Sequence, residues 1–196
     1  MSHQSPVASH QSPRRAIRRA ALLLIDVIND LDFPGSQELV AQAVPMARRL
    51  RALKSRARRA GIPAIYINDN FGKWRSDFRT LVAHCVKDNV PGRAVARLLK
   101  PRRDDYFVLK PKHSAFYRTT LDLLLNSLKV RTVILTGIAG NNCVLFSAND
   151  AYMRDLHLVV PADCIVSNTV EENEYALRQM RTVLKADVRP STKLRF

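Results

Sequence analysis

Five short apolar runs, at residues 21–25, 62–67, 106–109, 132–136 and 156–160, punctuate this chain, and each is apolar at consecutive rather than alternate positions. A strand with one wet face alternates. A strand covered on both faces does not, and that pattern belongs to parallel sheets sandwiched between helices. A shorter run at 186–188 is a candidate sixth strand. The intervals are long enough for the crossovers that parallel strands require. In one of them Met46, Leu50, Leu53, Ala57 and Ala60 recur at steps of four and three, which is one face of a helix, and basic residues fill the rest. Similar patterns predict helices over 119–128, 143–154 and 170–184, whereas 71–103 reads as one helix and a long loop. Strand and helix alternate, so the expected fold class is α/β, a three-layer sandwich with right-handed crossovers.

The chain can stand on that core alone. At 196 residues, 46% hydrophobic and 25% charged, it has the proportions of one globular domain, which buries roughly 70% of its unfolded surface. That excludes collagen-like, low-complexity and wholly disordered classes. Cys85, Cys143 and Cys164 are odd in number and form no Cys-x-x-Cys pair, which points to a reducing compartment and away from a zinc site. No run reaches ~18 apolar residues, so no membrane span is expected. Residues 1–19 repeat Ser-His-Gln-Ser-Pro and carry four arginines and no acid. They read as a disordered basic tail ahead of one domain over 20–196. Arg14-Arg15 before an apolar run hints at a twin-arginine signal, and a transit peptide is a second option. The run is short and ends at Asp26 without a small-residue cleavage site, which favours a cytoplasmic tail.

In open parallel sheets, ligands bind beyond the carboxyl ends of the strands. Three chemically useful residues fall there. Asp26 follows the first run, Lys110 follows the third, and Gly137-Ile-Ala-Gly-Asn-Asn-Cys143 leads from the fourth into its helix. A helix N-terminus and a nearby ammonium both favour a thiolate at Cys143, below the ordinary thiol pKa of ~8.5. Asp26 could take the thiol proton and return it to a leaving group, and the two glycines let backbone N–H groups face a developing oxyanion. Each residue also has a plainer role: a small buried cysteine, a helix-capping aspartate, a surface lysine.

The segments that hold these residues resemble a known family. Leu22-Leu-Leu-Ile-Asp26-Val-Ile-Asn-Asp30, then Lys110-Pro-Lys-His-Ser-Ala-Phe116, then Thr136-Gly-Ile-Ala-Gly-Asn-Asn-Cys143 are similar, in order and spacing, to the isochorismatase-like cysteine hydrolases, which include nicotinamidases and N-carbamoylsarcosine amidases. The resemblance implies a six-stranded, mostly parallel sheet and an Asp26, Lys110, Cys143 triad. It implies a cis peptide between Ile138 and Ala139, with the N–H groups of Ala139 and Cys143 as oxyanion hole. It also implies a covalent route through an acyl-thioester, and assembly as a dimer or tetramer.

Departures from the family narrow the choice. Where nicotinamidases carry a metal-binding Asp-x-His, this chain reads Asp69-Asn70-Phe71, and no histidine follows until His84. No metal and no cofactor are therefore expected. No dinucleotide, phosphate-loop or zincin motif is present. The family's Thr-Asp ahead of the cysteine is replaced by Gly140-Asn141. Phe33, Phe71, Trp74 and Phe116 are candidates for contacting a small-molecule substrate, or for packing a loop or interface. His113 is a candidate pocket residue. The formal net charge of +15 invites a nucleic-acid reading, but no sequence-specific nucleic-acid motif accompanies it and specific binding is not expected. The function expected is a cysteine hydrolase acting on a small amide, carbamoyl or ureido compound. Vinyl-ether hydrolysis and a catalytically silent binding protein are the alternatives.

Overall fold

A computed structural model describes residues 17–69 and 77–196, so the tail repeat, Phe71 and Trp74 lie outside the described residues. The elements run β1 (Ala20–Ile25), α1 (Ser36–Arg59), β2 (Ala64–Asp69), α2 (Phe78–Lys87), α3 (Arg93–Leu98), β3 (Tyr106–Lys110), α4 (Leu121–Ser127), β4 (Thr132–Ile138), α5 (Leu145–Tyr152), β5 (His157–Val159), β6 (Ile165–Val166) and α6 (Val170–Thr182). All strand pairs are parallel, in the order β3-β2-β1-β4-β5, with β6 on the far end of β4.

The consecutive apolar runs do what their pattern requires. In β1, Ala20, Leu22 and Leu24 join the core beneath α1, while Ala21, Leu23 and Ile25 join the core beneath α5 and α6. Leu22 to Ile25 are fully buried, each contributing about 1.5–3 kcal/mol of transfer free energy. α1 is longer than its apolar stripe suggests. It starts at Ser36 and runs through Pro45, which forgoes one bond to the carbonyl of Ala41. Leu39 and Ala43 extend the buried face N-terminally.

Three expectations need correction. The sixth strand is Ile165–Val166, which pairs with Gly137 and Ile138. The run at 186–188 contributes only a bridge from Asp187 to Val159. Because β5 stops at Val159, the outer edge of the rest of β4, whose other edge pairs with β1, would otherwise lie open. The described part of the 71–103 segment, from Asp77 on, holds two helices, α2 and α3, and Asp77 caps α2 through its carboxylate on the Thr80 N–H. The chain is also held from before residue 20: the Ile17 N–H donates to the Arg195 carbonyl at 3.0 Å, and the Arg19 carbonyl accepts from Arg131 and Thr132. Among the described residues, no helix is long and apolar enough to cross a membrane.

Candidate active site

Three strand ends deliver the three reactive side chains to one point. Ile25 pairs with both Ile67 and Gly137, so β1 is flanked by β2 and β4 up to its last residue. Gly137 has φ 115°, and a Cβ there would lie 2.0 Å from the Ile25 carbonyl oxygen. Only glycine allows β4 to come this close as it turns towards Cys143. Asp26 itself takes a left-handed φ of 49°, a conformation unfavourable for a residue with a Cβ and characteristic of functional sites.

The structure brings Asp26, Lys110 and Cys143 together. Lys110 Nζ lies 2.9 Å from Asp26 Oδ2 and 3.5 Å from Cys143 Sγ. Asp69 Oδ2 is 3.5 Å from the same ammonium. Asp26 Oδ1 accepts the Asp69 backbone N–H at 2.8 Å, so both oxygens of the carboxylate are held. The Lys110 side chain is 0% exposed and that of Asp26 7%. Cys143 is partly accessible. It lies within a π-helical turn, Gly140–Val144, that leads into α5; such wide turns recur at functional sites. The peptide between Ile138 and Ala139 is cis.

Burial works against one expectation about protons. Burial and then the Asp26 charge push the Cys143 thiol up to about 12, against the opposing pull of Lys110. Burial thus opposes the thiolate that a helix N-terminus and an ammonium would favour. Burial also raises the Asp26 carboxyl, with Lys110 opposing. Burial by itself would lower Lys110, but Asp26, Cys143 and Asp69 outweigh it and hold the ammonium above its ordinary value. One ammonium thus faces both a carboxyl and a thiol, and a proton can pass between the two. Moving that proton from sulfur to oxygen leaves the net charge of the buried group unchanged.

Two hydrogen-bond chains that the sequence reading missed hold the cysteine turn. Ser147, one helical turn after Cys143 and wholly buried, donates to the Cys143 carbonyl at 2.6 Å and accepts the Ala115 N–H at 2.9 Å, tying the lysine loop to the nucleophile turn. Ser114 on that loop bonds Asp150 of α5. On the other side, Ser167 accepts the Asn141 N–H at 3.0 Å and donates to Asn173 Oδ1 at 3.1 Å. A Cβ at Gly140 would come within 2.5 Å of that Asn173 oxygen. Gly140-Asn141 therefore fits a turn clasped by Ser167 and Asn173. A hydroxyl four residues after the cysteine was the one available clue.

The proposed substrate contacts divide. Phe33 is 42% exposed, beyond β1. Phe116 is 3% exposed, in the core beneath α5, with Arg154 over its ring at 4.7 Å. It packs the lysine loop and presents no open face, which corrects its assignment as a substrate contact. His113 lies 5.5 Å from the exposed Phe146 ring. His84, bonded to Asp88 at 2.7 Å, is on α2, and Cys85 and Cys164 are buried. Among the described residues, no group of three or more His, Cys, Asp or Glu could hold a metal.

The geometry leads to comparison with known proteins. The family model for the isochorismatase domain matches residues 20–189. This chain belongs to the isochorismatase family. A family member from Bacillus subtilis, the uncharacterized protein YaaI, is 44% identical over 168 residues, 86% of this chain and 92% of that protein. Maleamate amidohydrolase from Pseudomonas putida is 27% identical, covering 76% of this chain and 72% of its own. In fold, the isochorismatase family protein from Desulfovibrio vulgaris superposes with a TM-score of 0.73 over 90% of this chain and 96% of that one, at 24% identity. The six-stranded parallel sheet flanked by helices is thus the isochorismatase-like hydrolase fold.

Proposed function

We propose that this isochorismatase-family hydrolase is a cysteine amidohydrolase that cleaves the carbon–nitrogen bond of a small amide, carbamoyl or ureido compound. It would do so through an acyl-thioester on Cys143. The observation that carries the proposal is the single ammonium, Lys110, set 2.9 Å from a carboxylate and 3.5 Å from a thiol at the ends of three different strands. The likeness to maleamate amidohydrolase supports a terminal amide as the scissile group.

In this reading the resting state is a neutral thiol beside an ion pair. As Sγ attacks the carbonyl carbon, its proton passes to Asp26, and the carbonyl electrons move onto oxygen. The backbone N–H groups of Ala139 and Cys143 would receive that oxyanion. Asp26 then protonates the departing nitrogen, the C–N bond breaks, and ammonia or an amine leaves a thioester. Water attacks the thioester, gives a proton to Asp26, and releases the acid; the proton returns to sulfur. Lys110 keeps one unit of negative charge stable whether it resides on oxygen or sulfur, which lowers the cost of each transfer in a dry site. No metal enters these steps. The Asp69 carboxylate that would begin a metal-binding Asp-x-His instead lies near the Lys110 ammonium, and Asn70 and Phe71 follow it.

An ammonia-release screen over small primary amides and ureido acids tests the proposal. With a substrate in hand, Cys143→Ala should reduce turnover by at least about 10⁴-fold. Intact mass of the acid-quenched wild type should show substrate mass minus the amine on Cys143. Undiminished turnover by Cys143→Ala would overturn the thioester route and leave acid catalysis by Asp26.

A further inference from the structure

We propose that the β3 edge of the sheet, on the side where β2 and β3 begin, is a groove for the backbone of single-stranded nucleic acid, bound without regard to sequence. Two grooves adjoin there. The first, about 430 Å³, is lined by Arg51, Lys54 and Arg58 of α1 and by Arg97, Lys100 and Arg102 across from them. The second, about 720 Å³, lies between α2 and the start of β3 and adds Arg79, Lys87 and Arg103. Lys100 and Arg102 line both, so the two form one path. Among the described residues Asp105 is the sole carboxylate on that lining, and Lys54 already pairs with it. Arg58 pairs with Asp104. None of the other seven cations forms a side-chain salt bridge among the described residues, although Arg79 feels the nearby Asp77 charge.

One end of the path carries a flat apolar platform. Phe107 is 55% exposed and rests on the buried Phe78, ring centroids 4.9 Å apart and planes 10° from parallel. A basic groove that tracks phosphates beside an aromatic ring that accepts bases is how single strands are held without sequence preference. A second copy of this chain is a poorer occupant, since it would bring the same unpaired cations face to face. An acidic peptide would match the charge but offers no base for Phe107. α1 runs against the strands, so this half of it lies where β2 and β3 begin. Cys143 lies at their other end, and the groove stands independently of the hydrolase reading.

Fluorescence anisotropy of the full chain with a labelled 20-residue oligothymidylate tests the proposal. Four to five phosphate contacts predict a slope of log K against log salt near −3, at about 0.7 per contact. Affinity should then fall roughly a hundredfold between 50 and 200 mM salt. Lys100→Glu with Arg102→Glu should weaken binding at least tenfold and flatten the slope. Phe107→Ala should weaken it about fivefold or more, from lost stacking, with the slope unchanged. Arg103→Glu, at an exposed position, repeats the charge test should Phe107→Ala fold poorly. Any of three results overturns the proposal: no binding at 50 mM salt; inorganic polyphosphate binding equally well with Phe107→Ala silent, which means anion adhesion alone; or self-association that Phe107→Asp abolishes, which makes the face an interface between copies.

Discussion

Replacing Lys110 by methionine takes a charge out of a position that is 0% exposed. The two side chains fill similar volumes, so the loss is mainly electrostatic. The Asp26 carboxylate left behind can stay charged, which costs several kcal/mol when buried and unpaired, or it can take a proton. The second route caps the loss. Holding a carboxyl of ordinary pKa ~3.9 protonated at pH 7 spans about three units at roughly 1.4 kcal/mol each, or about 4 kcal/mol. At pH 4.5 the same route costs under about 1 kcal/mol. The direction follows from Asp26 already being raised by burial against the opposition of Lys110. Without Lys110 it rises further, and the folded variant keeps a proton that the unfolded chain releases. Stability is then lost as pH climbs through the window above ~4. Urea unfolding of wild type and variant at pH 4.5 and 7.5 measures the two gaps, provided the m-values agree. Adding Asp26→Asn removes the orphaned charge and should recover about half of the pH 7.5 loss or more. A gap below about 1 kcal/mol at pH 7.5, or an equal gap at both pH values, would refute the buried ion pair as the organising charge of the site.

Other consequences follow from the same geometry. Asp26→Asn should abolish turnover yet speed alkylation of Cys143 by iodoacetamide at pH 7, because the variant loses a charge that raises the thiol and keeps the ammonium that lowers it; mass mapping of the adducts decides, and slower labelling would place the proton elsewhere. In the wild type, Cys85 and Cys164, buried and also pushed up to about 12, should label more slowly than the partly accessible Cys143. Ser147→Ala leaves the Cys143 carbonyl and the Ala115 N–H without their shared partner, so denaturation should show a loss of about 1–3 kcal/mol and kcat should fall more than KM changes. Gly137→Ala drives a Cβ into the Ile25 carbonyl; β1 and β4 must separate, and the variant should unfold at a markedly lower Tm than wild type.

Much of this protein was legible because burial leaves a local trace. A strand covered on both faces must be apolar at every position, so β1, β2, β3, β4 and β5 were found within two residues of their ends. A helix over a sheet needs its stripe, so Met46, Leu50, Leu53 and Ala57 were found on its buried side, although exposed Ala60 falls just past its end. Asp26, Lys110 and Cys143 could be picked out because strand ends in a parallel sheet converge. A two-residue strand has no period, so Ile165–Val166 could be found only once β4 was seen to need a partner beyond β5. Ser147, Ser167 and Asn173 are ordinary polar residues in sequence, and only folding sets them around one turn. The full balance of forces on the Cys143 proton escapes the sequence for the same reason. A helix N-terminus and a lysine are local or countable, whereas burial and the Asp26 charge act only after residues 117 positions apart share one dry pocket. Residue order thus determined which surfaces are buried and which groups meet; the dielectric and the distances that decide where charge sits exist only in the assembled fold.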